Sequence, residues 1–267
     1  MTLTQAIQEE QSLLGALLVA KAFNPALDIE KYLAQVAQWQ QFCFSRINTD
    51  DNERTKLLQL VHLFYRELAF GVDEYAPLSS RHGLIDMVMD HHTGSPVTLA
   101  ILFCNIGRSL GLNLREVILP GYCLIRCELG GARLMFFDAL DGRQLSWRQL
   151  EQLYQQHSDE DSDMSLKDVA PAGCKALMIR LLNNLKAACF DEQRYQQALV
   201  ATDLLVQLCP DDPYERRDRG FLYQQLDCHG VALADYRFFI RHCPKDPAAQ
   251  LLKMQLWRYQ TEPVVLH

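Results

Sequence analysis

The chain has 267 residues, 49% of them hydrophobic and 22% charged, with a formal net charge of −7 at pH 7. That length and apolar content allow one large domain or two ordinary ones, each with a real core. The acidic balance argues against a general nucleic-acid binder, which would carry a basic patch.

The N-terminal region carries Glu9 and Glu10 and no basic stretch, and its apolar run Leu13 to Ala20 is too short to span a membrane. Nine cysteines without a secretory signal read as reduced thiols, so a cytoplasmic protein is expected. There is no Cys-x-x-Cys pair. Cys123 and Cys127, on one strand, would stand roughly 13 Å apart. A tetrahedral site needs four converging ligands, so neither a metal site nor a cofactor is expected.

Residues 1–70 read as helices, with apolar side chains at helical spacing in Tyr32 to Phe44 and Leu57 to Phe70. A further helix is predicted to open after Gly94. Ser95 suits the N-cap and Pro96 the first helical position, where a missing N–H costs nothing. Val97, Ala100, Ile101, Phe103 and Ile106 give it a buried face, and Gly111 ends it. Two strand-like runs follow, Glu116 to Glu128 interrupted at Pro120-Gly121, and Ala132 to Phe137, joined by a turn at Gly130-Gly131.

The composition breaks at residues 157–170, which hold five acids against one lysine and suit an exposed acidic linker. Residues 1–156 carry a net charge of −4 and residues 171–267 a net charge of +1. In the second part Cys209-Pro-Asp-Asp-Pro213 returns as Cys243-Pro-Lys-Asp-Pro247, displaced by 34 residues, and Ala198-Leu199 returns as Ala232-Leu233. That is the period of the tetratricopeptide (TPR) repeat, two antiparallel helices per unit. Gly220 and Ala232 are small where such helices cross, Tyr223 and Tyr236 take motif positions, and Pro244 stops the second helix. A capping helix is expected over about 247–259.

Gly94-Ser95-Pro96 followed by Ala100 to Phe103 and Arg108 to Leu112 resembles the nucleophile helix of the transglutaminase-like superfamily. Leu119-Pro-Gly-Tyr122 resembles the strand that carries its histidine, and Phe136-Phe-Asp138 the strand that carries its aspartate. The nearest likeness is to the bacterial SirB-one family, in which this domain precedes TPR-like helices. Pro213 to Gly220, Gln225 to Cys228 and Val265-Leu-His267 also look typical of that group. The resemblance implies an α+β, mostly helical, papain/transglutaminase-like N-terminal domain with a small antiparallel sheet over 1–156, the linker over 157–170, and TPR-like hairpins with a capping helix over 171–267.

It also implies a cysteine–histidine–aspartate site, which this chain does not supply. The cysteine position reads Pro96, the histidine position Tyr122, and Asp138 alone remains. Proline offers no nucleophile, and a tyrosine of ordinary pKa near 10 is a poor general base at neutral pH. Cys104 lies about 12 Å along the helix from Pro96 on an apolar face, as a structural cysteine would. Cys123 points away from Tyr122, Ser95 is accounted for by capping, and adjacent His91 and His92 do not both face one site easily.

A non-catalytic interaction or regulatory protein is therefore the expectation. The alternative is a cryptic cysteine or serine hydrolase or acyl-transfer enzyme using Ser95 or Cys104. The TPR resemblance implies a groove lined by the first helix of each repeat, which nominates Arg180, Asn183, Tyr214, Arg217, Phe221 and Gln224 for a protein or peptide partner. The competing account of Arg216, Arg217 and Arg219 beside Glu215 and Asp218 is an internally paired, solvated face. No recognition helix or basic helix points to nucleic acid, and no segment points to a membrane.

Overall fold

The computed structural model describes residues 1–48, 50–72, 79–130, 133–157 and 163–261. The central part of the linker, the end of the Gly130-Gly131 turn and the final Val265-Leu-His267 lie outside these residues. Two compact units divide after Asn184.

The first unit opens with α1 (Leu3–Gln8), α2 (Ser12–Phe23) and α3 (Ile29–Arg46). Asp28 caps α3 through its carboxylate, which accepts the Glu30 and Lys31 N–H groups. The apolar stripe from Leu57 divides: α4 (Glu53–His62) runs on into a π-turn over Leu63–Glu67. Widening the ladder there turns Leu63, Phe64 and Tyr65 all into the core. Short α5 (Ser80–Gly83) and α6 (Ile85–His91) then lead to α7 (Pro96–Ser109).

Helix α7 forms as its sequence dictates, with Ser95 Oγ accepting the Thr98 N–H and Pro96 at its first turn. All residues from Val97 to Cys104 are buried, so this is a central helix rather than a half-wetted one. At Gly107 an added Cβ would lie 2.1 Å from Leu114 Cδ1 and 2.9 Å from Leu60 Cδ2. The glycine lets the helix close onto the sheet.

The sheet is antiparallel in the order β1 (Leu114–Leu119), β2 (Tyr122–Leu129), β3 (Arg133–Asp138), β4 (Gln144–Leu145). Leu119 pairs with Tyr122 across the Pro120-Gly121 turn, and Leu124 pairs with Asp138. Strand alternation gives the sheet two faces. Leu114, Glu116, Cys123 and Cys127 face α7, whereas Val117, Leu119, Leu124, Phe136 and Leu145 cluster with Leu150 and Tyr154 of α8 (Trp147–His157) and with Met164 and Val169. Helix α8 has Trp147, Leu150, Leu153 and Tyr154 at helical spacing, whereas β4 is two residues long and has no pattern of its own.

Helix α9 (Cys174–Asp191) begins in the first unit, where the Cys174 N–H donates to Glu10 and Met178 lies against Gly15. The compact units thus divide within α9, whereas the composition breaks at 157–170. The second unit contains α10 (Tyr195–Leu208), α11 (Pro213–Gln225), α12 (His229–His242) and α13 (Pro247–Thr261). Asp212 caps α11 and Pro213 occupies its first turn. At Gly220 an added Cβ would lie 2.8 Å from the Tyr236 ring, the close helix approach expected of the motif. Among the described residues no helix is long and apolar enough to cross a membrane.

Candidate functional site

After the tight turn that follows α7, β1 returns antiparallel to it. Arg108, near the end of α7, holds the buried Glu116 through a bidentate pair at 3.1–3.3 Å and so marks the β1 end of the helix. From Pro96 to Arg108 α7 rises about 18 Å, close to the roughly 17 Å of β1. Gly71, whose carbonyl accepts the Gly94 N–H, lies against Leu140 O, so the start of α7 stands beside the segment that follows Asp138.

Tyr122 Oη donates a 2.8 Å hydrogen bond to Asp138 Oδ2. The carboxylate is 5% exposed. Its Oδ1 accepts the Leu140 N–H at 2.9 Å, and the exposed Arg143 stands 3.8 Å from Oδ2. Burial, then the neighbouring Asp138, pushes the Tyr122 phenol well above its ordinary pKa. Tyr122 is therefore a fixed donor that keeps its proton, where a histidine would accept one. Both side chains lie on the face that packs under α8, opposite the face that receives α7.

Around Pro96 the polar groups are already engaged. Ser95 Oγ accepts the Thr98 N–H and lies 3.1 Å from Thr98 Oγ1. The carbonyl of His82 accepts both the Ser95 N–H and the Thr98 hydroxyl at 2.9 Å. Gly94 has no room for a side chain, since a Cβ would lie 2.8 Å from Thr98 Oγ1 and from Val88 Cγ1. Cys104 is wholly buried, and desolvation, with Glu116 adding to it, holds its thiol well above the usual cysteine range. Burial likewise pushes Cys123 up to about 12. Both thiols stay protonated and out of reach.

The histidines are arranged differently from what their sequence positions suggested. His91 is exposed. His92 takes a left-handed conformation, stacks on Phe70 with ring centroids 4.4 Å apart, and directs Nδ1 at the Leu68 carbonyl. The histidine nearest the helix start is His82, which sequence reasoning passed over. It is buried, and its Nδ1 accepts the Ser79 N–H at 2.9 Å. The Ser-x-x-His spacing of a capping box was the available signal. The ring of His157, from α8, lies against the backbone of Gly121, whose φ is +68°.

The six residues nominated for a groove separate into two places. Arg180 and Asn183 line a pocket of about 700 Å³ whose walls belong entirely to the first unit. Arg217, Phe221 and Gln224 line another, of about 470 Å³, in the second unit with Phe190, Tyr236, Leu251 and Leu252. Tyr214 stands outside that lining, exposed, with its hydroxyl donating to Asp246 at 3.0 Å. Arg217 is held by Asp218 through Nε and Nη2 and lies over the Tyr214 and Phe239 rings. Arg216 and Arg219 both engage the buried Asp235. Glu215 and Asp218 share Lys186. Much of this basic run is thus internally paired.

Comparison with known proteins matches residues 30–183 to the transglutaminase-like superfamily and residues 185–257 to the tetratricopeptide repeat. A "UPF0162 protein" of Vibrio cholerae is 35% identical over 91% of this chain and 90% of its own length. The chain belongs to the SirB-one (UPF0162) family. Among other relatives, "UPF0162 protein YchA" of Escherichia coli K12 is 30% identical over 79% of each chain. "Protein SirB1" of Salmonella typhimurium is 30% identical over 84% of this chain and 82% of its own. No solved structure matches. In this SirB-one chain α7 opens at Pro96, and Tyr122 bonds Asp138.

Proposed function

We propose that this protein is a non-catalytic member of its superfamily, a cytoplasmic interaction or regulatory factor that binds a protein or peptide partner through its C-terminal repeats. The observation that carries the first half is the Tyr122–Asp138 hydrogen bond, combined with proline at the first turn of α7. A cysteine mechanism needs a thiolate and a base that accepts its proton. Here one position has no side-chain heteroatom and the other is a phenol that keeps its proton. The alternative nucleophiles fare no better, since Ser95 is committed to capping and Cys104 is buried with a raised pKa.

Support for binding comes from the groove of the second unit. Phe221 is 41% exposed and Leu251 63% exposed, beside Phe190 and Tyr236. Soluble proteins seldom leave such large apolar groups clustered unless they meet a partner. Arg217 is fixed by Asp218 and by the ring beneath it, so a polar anchor is present without further ordering cost. Selection of random displayed peptides on the folded full chain tests the reading. Enriched sequences should carry apolar anchors and should lose binding to Phe221→Ser and Arg217→Ala. Selected peptides that bind both variants unchanged would remove the groove from the account.

A further inference from the structure

One pocket of the first unit is lined by an arginine. Arg180 sits on α9, and its Nε is buried without a hydrogen-bond acceptor. Among the described residues its guanidinium makes no ion pair or hydrogen bond. Arg126 and Arg216 also have a buried Nε lacking an acceptor, but each is held through its Nη atoms, by Val169 O and Glu128 in one case and Asp235 in the other. Arg180 has no such compensation. A buried N–H left without an acceptor is costly to the folded chain, and here it borders a pocket of about 700 Å³.

The surroundings define what would match it. Ala176, Arg180, Asn183 and Asn184 recur at helical spacing, so they form one stripe on α9. Alanines 170, 172 and 176 leave space in front of the guanidinium, and Ile118 and Ile179 supply apolar wall. Lys167 faces the same space. Among the described residues that line it Asp168 is the one acid, and its Oδ2 is occupied by the Ser165 N–H and hydroxyl at 2.7 and 2.8 Å. Among these described residues two cations against one acid leave a single excess positive charge, which suits a monoanion better than a phosphate dianion. Arginine grips a carboxylate side-on with two parallel N–H donors, one of which can be Nε–H. The paired asparagines offer donors and acceptors of the kind an amide group requires.

We propose that this pocket binds a monocarboxylate flanked by an amide, the chemistry shared by an N-acyl amino acid and the C-terminal end of a peptide. Arg180 takes the carboxylate, Asn183 and Asn184 the amide, and Ile118 and Ile179 the apolar side chain. This site is separate from the groove of the second unit and does not depend on it.

The test uses the full chain labelled with 15N and titrated with N-acetyl-leucine. Saturable shifts of the Asn183 and Asn184 side-chain amide signals and of Arg180 Nε–H are expected. Arg180→Met keeps the apolar stem and should weaken binding at least tenfold. Lys167→Ala, at an exposed position, tests the charge without threatening the fold and should weaken it severalfold. N-acetyl-leucinamide, which lacks the carboxylate, should bind at least tenfold more weakly. A pentapeptide ending in a free leucine carboxylate distinguishes the two sources: tighter binding than N-acetyl-leucine assigns the chain end, equal binding the small acid. Equal affinity for the amide, inorganic phosphate binding as tightly as the acid, or no saturable response at the asparagines would overturn the proposal.

Discussion

Replacing Tyr122 by Phe removes one hydroxyl and leaves the ring in place, which isolates the bond to Asp138. A hydrogen bond to a charged acceptor contributes about 1.5–3 kcal/mol. Two features place Tyr122 at the low end. Asp138 keeps the Leu140 N–H at 2.9 Å, and Tyr122 is half-buried, so water can reach the vacated position. A loss of about 1–1.5 kcal/mol is expected at pH 7, or roughly 2–6 °C in Tm by the usual scaling. The pH dependence supplies a second signature. Because the folded-state pKa of Tyr122 is raised, its contribution is complete below the unfolded value near 10. It is then lost as pH rises toward the folded value. The wild-type advantage over Tyr122→Phe should therefore shrink above about pH 10. Urea unfolding of both proteins at pH 7 and at pH 10.5 measures it. Equal stability at pH 7, or a gap that widens with pH, would refute the reasoning.

Other perturbations follow from the same packing. Gly220→Ala gains helix propensity of about 1 kcal/mol but drives a methyl into the Tyr236 ring, which is tied to Gln224 at 2.8 Å. A net loss of about 1–2 kcal/mol is expected, read as earlier proteolysis within the second unit. Asp86 is buried with Oδ1 unpartnered, and burial raises its pKa. A raised folded-state value means its stabilising contribution is present at low pH and lost as pH rises. Asp86→Asn should thus stabilise the protein at pH 7, by thermal unfolding, with the gain fading as pH falls toward 4. Gly121→Ala places a β-carbon at positive φ and 2.3 Å from the His157 ring. It should lower Tm and release the His157 resonance toward solution values.

Much of this molecule was legible in its sequence because local chemistry and tertiary role agree. Ser95 suits an N-cap and Pro96 the first helical position, and α7 begins there. The return of Cys-Pro-x-Asp-Pro after 34 residues fixed the paired helices, and Gly220 showed where they cross. What was not legible is long-range. The π-turn at Leu63–Glu67 needs a core that rewards three successive buried residues. The short β4 is ordered only by pairing with β3. The Ser-x-x-His spacing marks His82 only as a cap, and it matters because its carbonyl meets Ser95 and Thr98 from a different helix. Repeat position groups Arg180 and Asn183 with Arg217. The pocket walls instead place them in the first unit.

The central claim, a transglutaminase-like scaffold without a working nucleophile, is tested most directly by mapping covalent labelling of the native full chain. Iodoacetamide and a fluorophosphonate probe would be followed by peptide mass spectrometry. The account predicts early iodoacetamide modification of the exposed Cys228, with Cys104 unlabelled until the protein is unfolded and Ser95 unlabelled throughout. Rapid, saturable labelling of Ser95 or Cys104 in the native protein, slowed by Asp138→Asn, would contradict it.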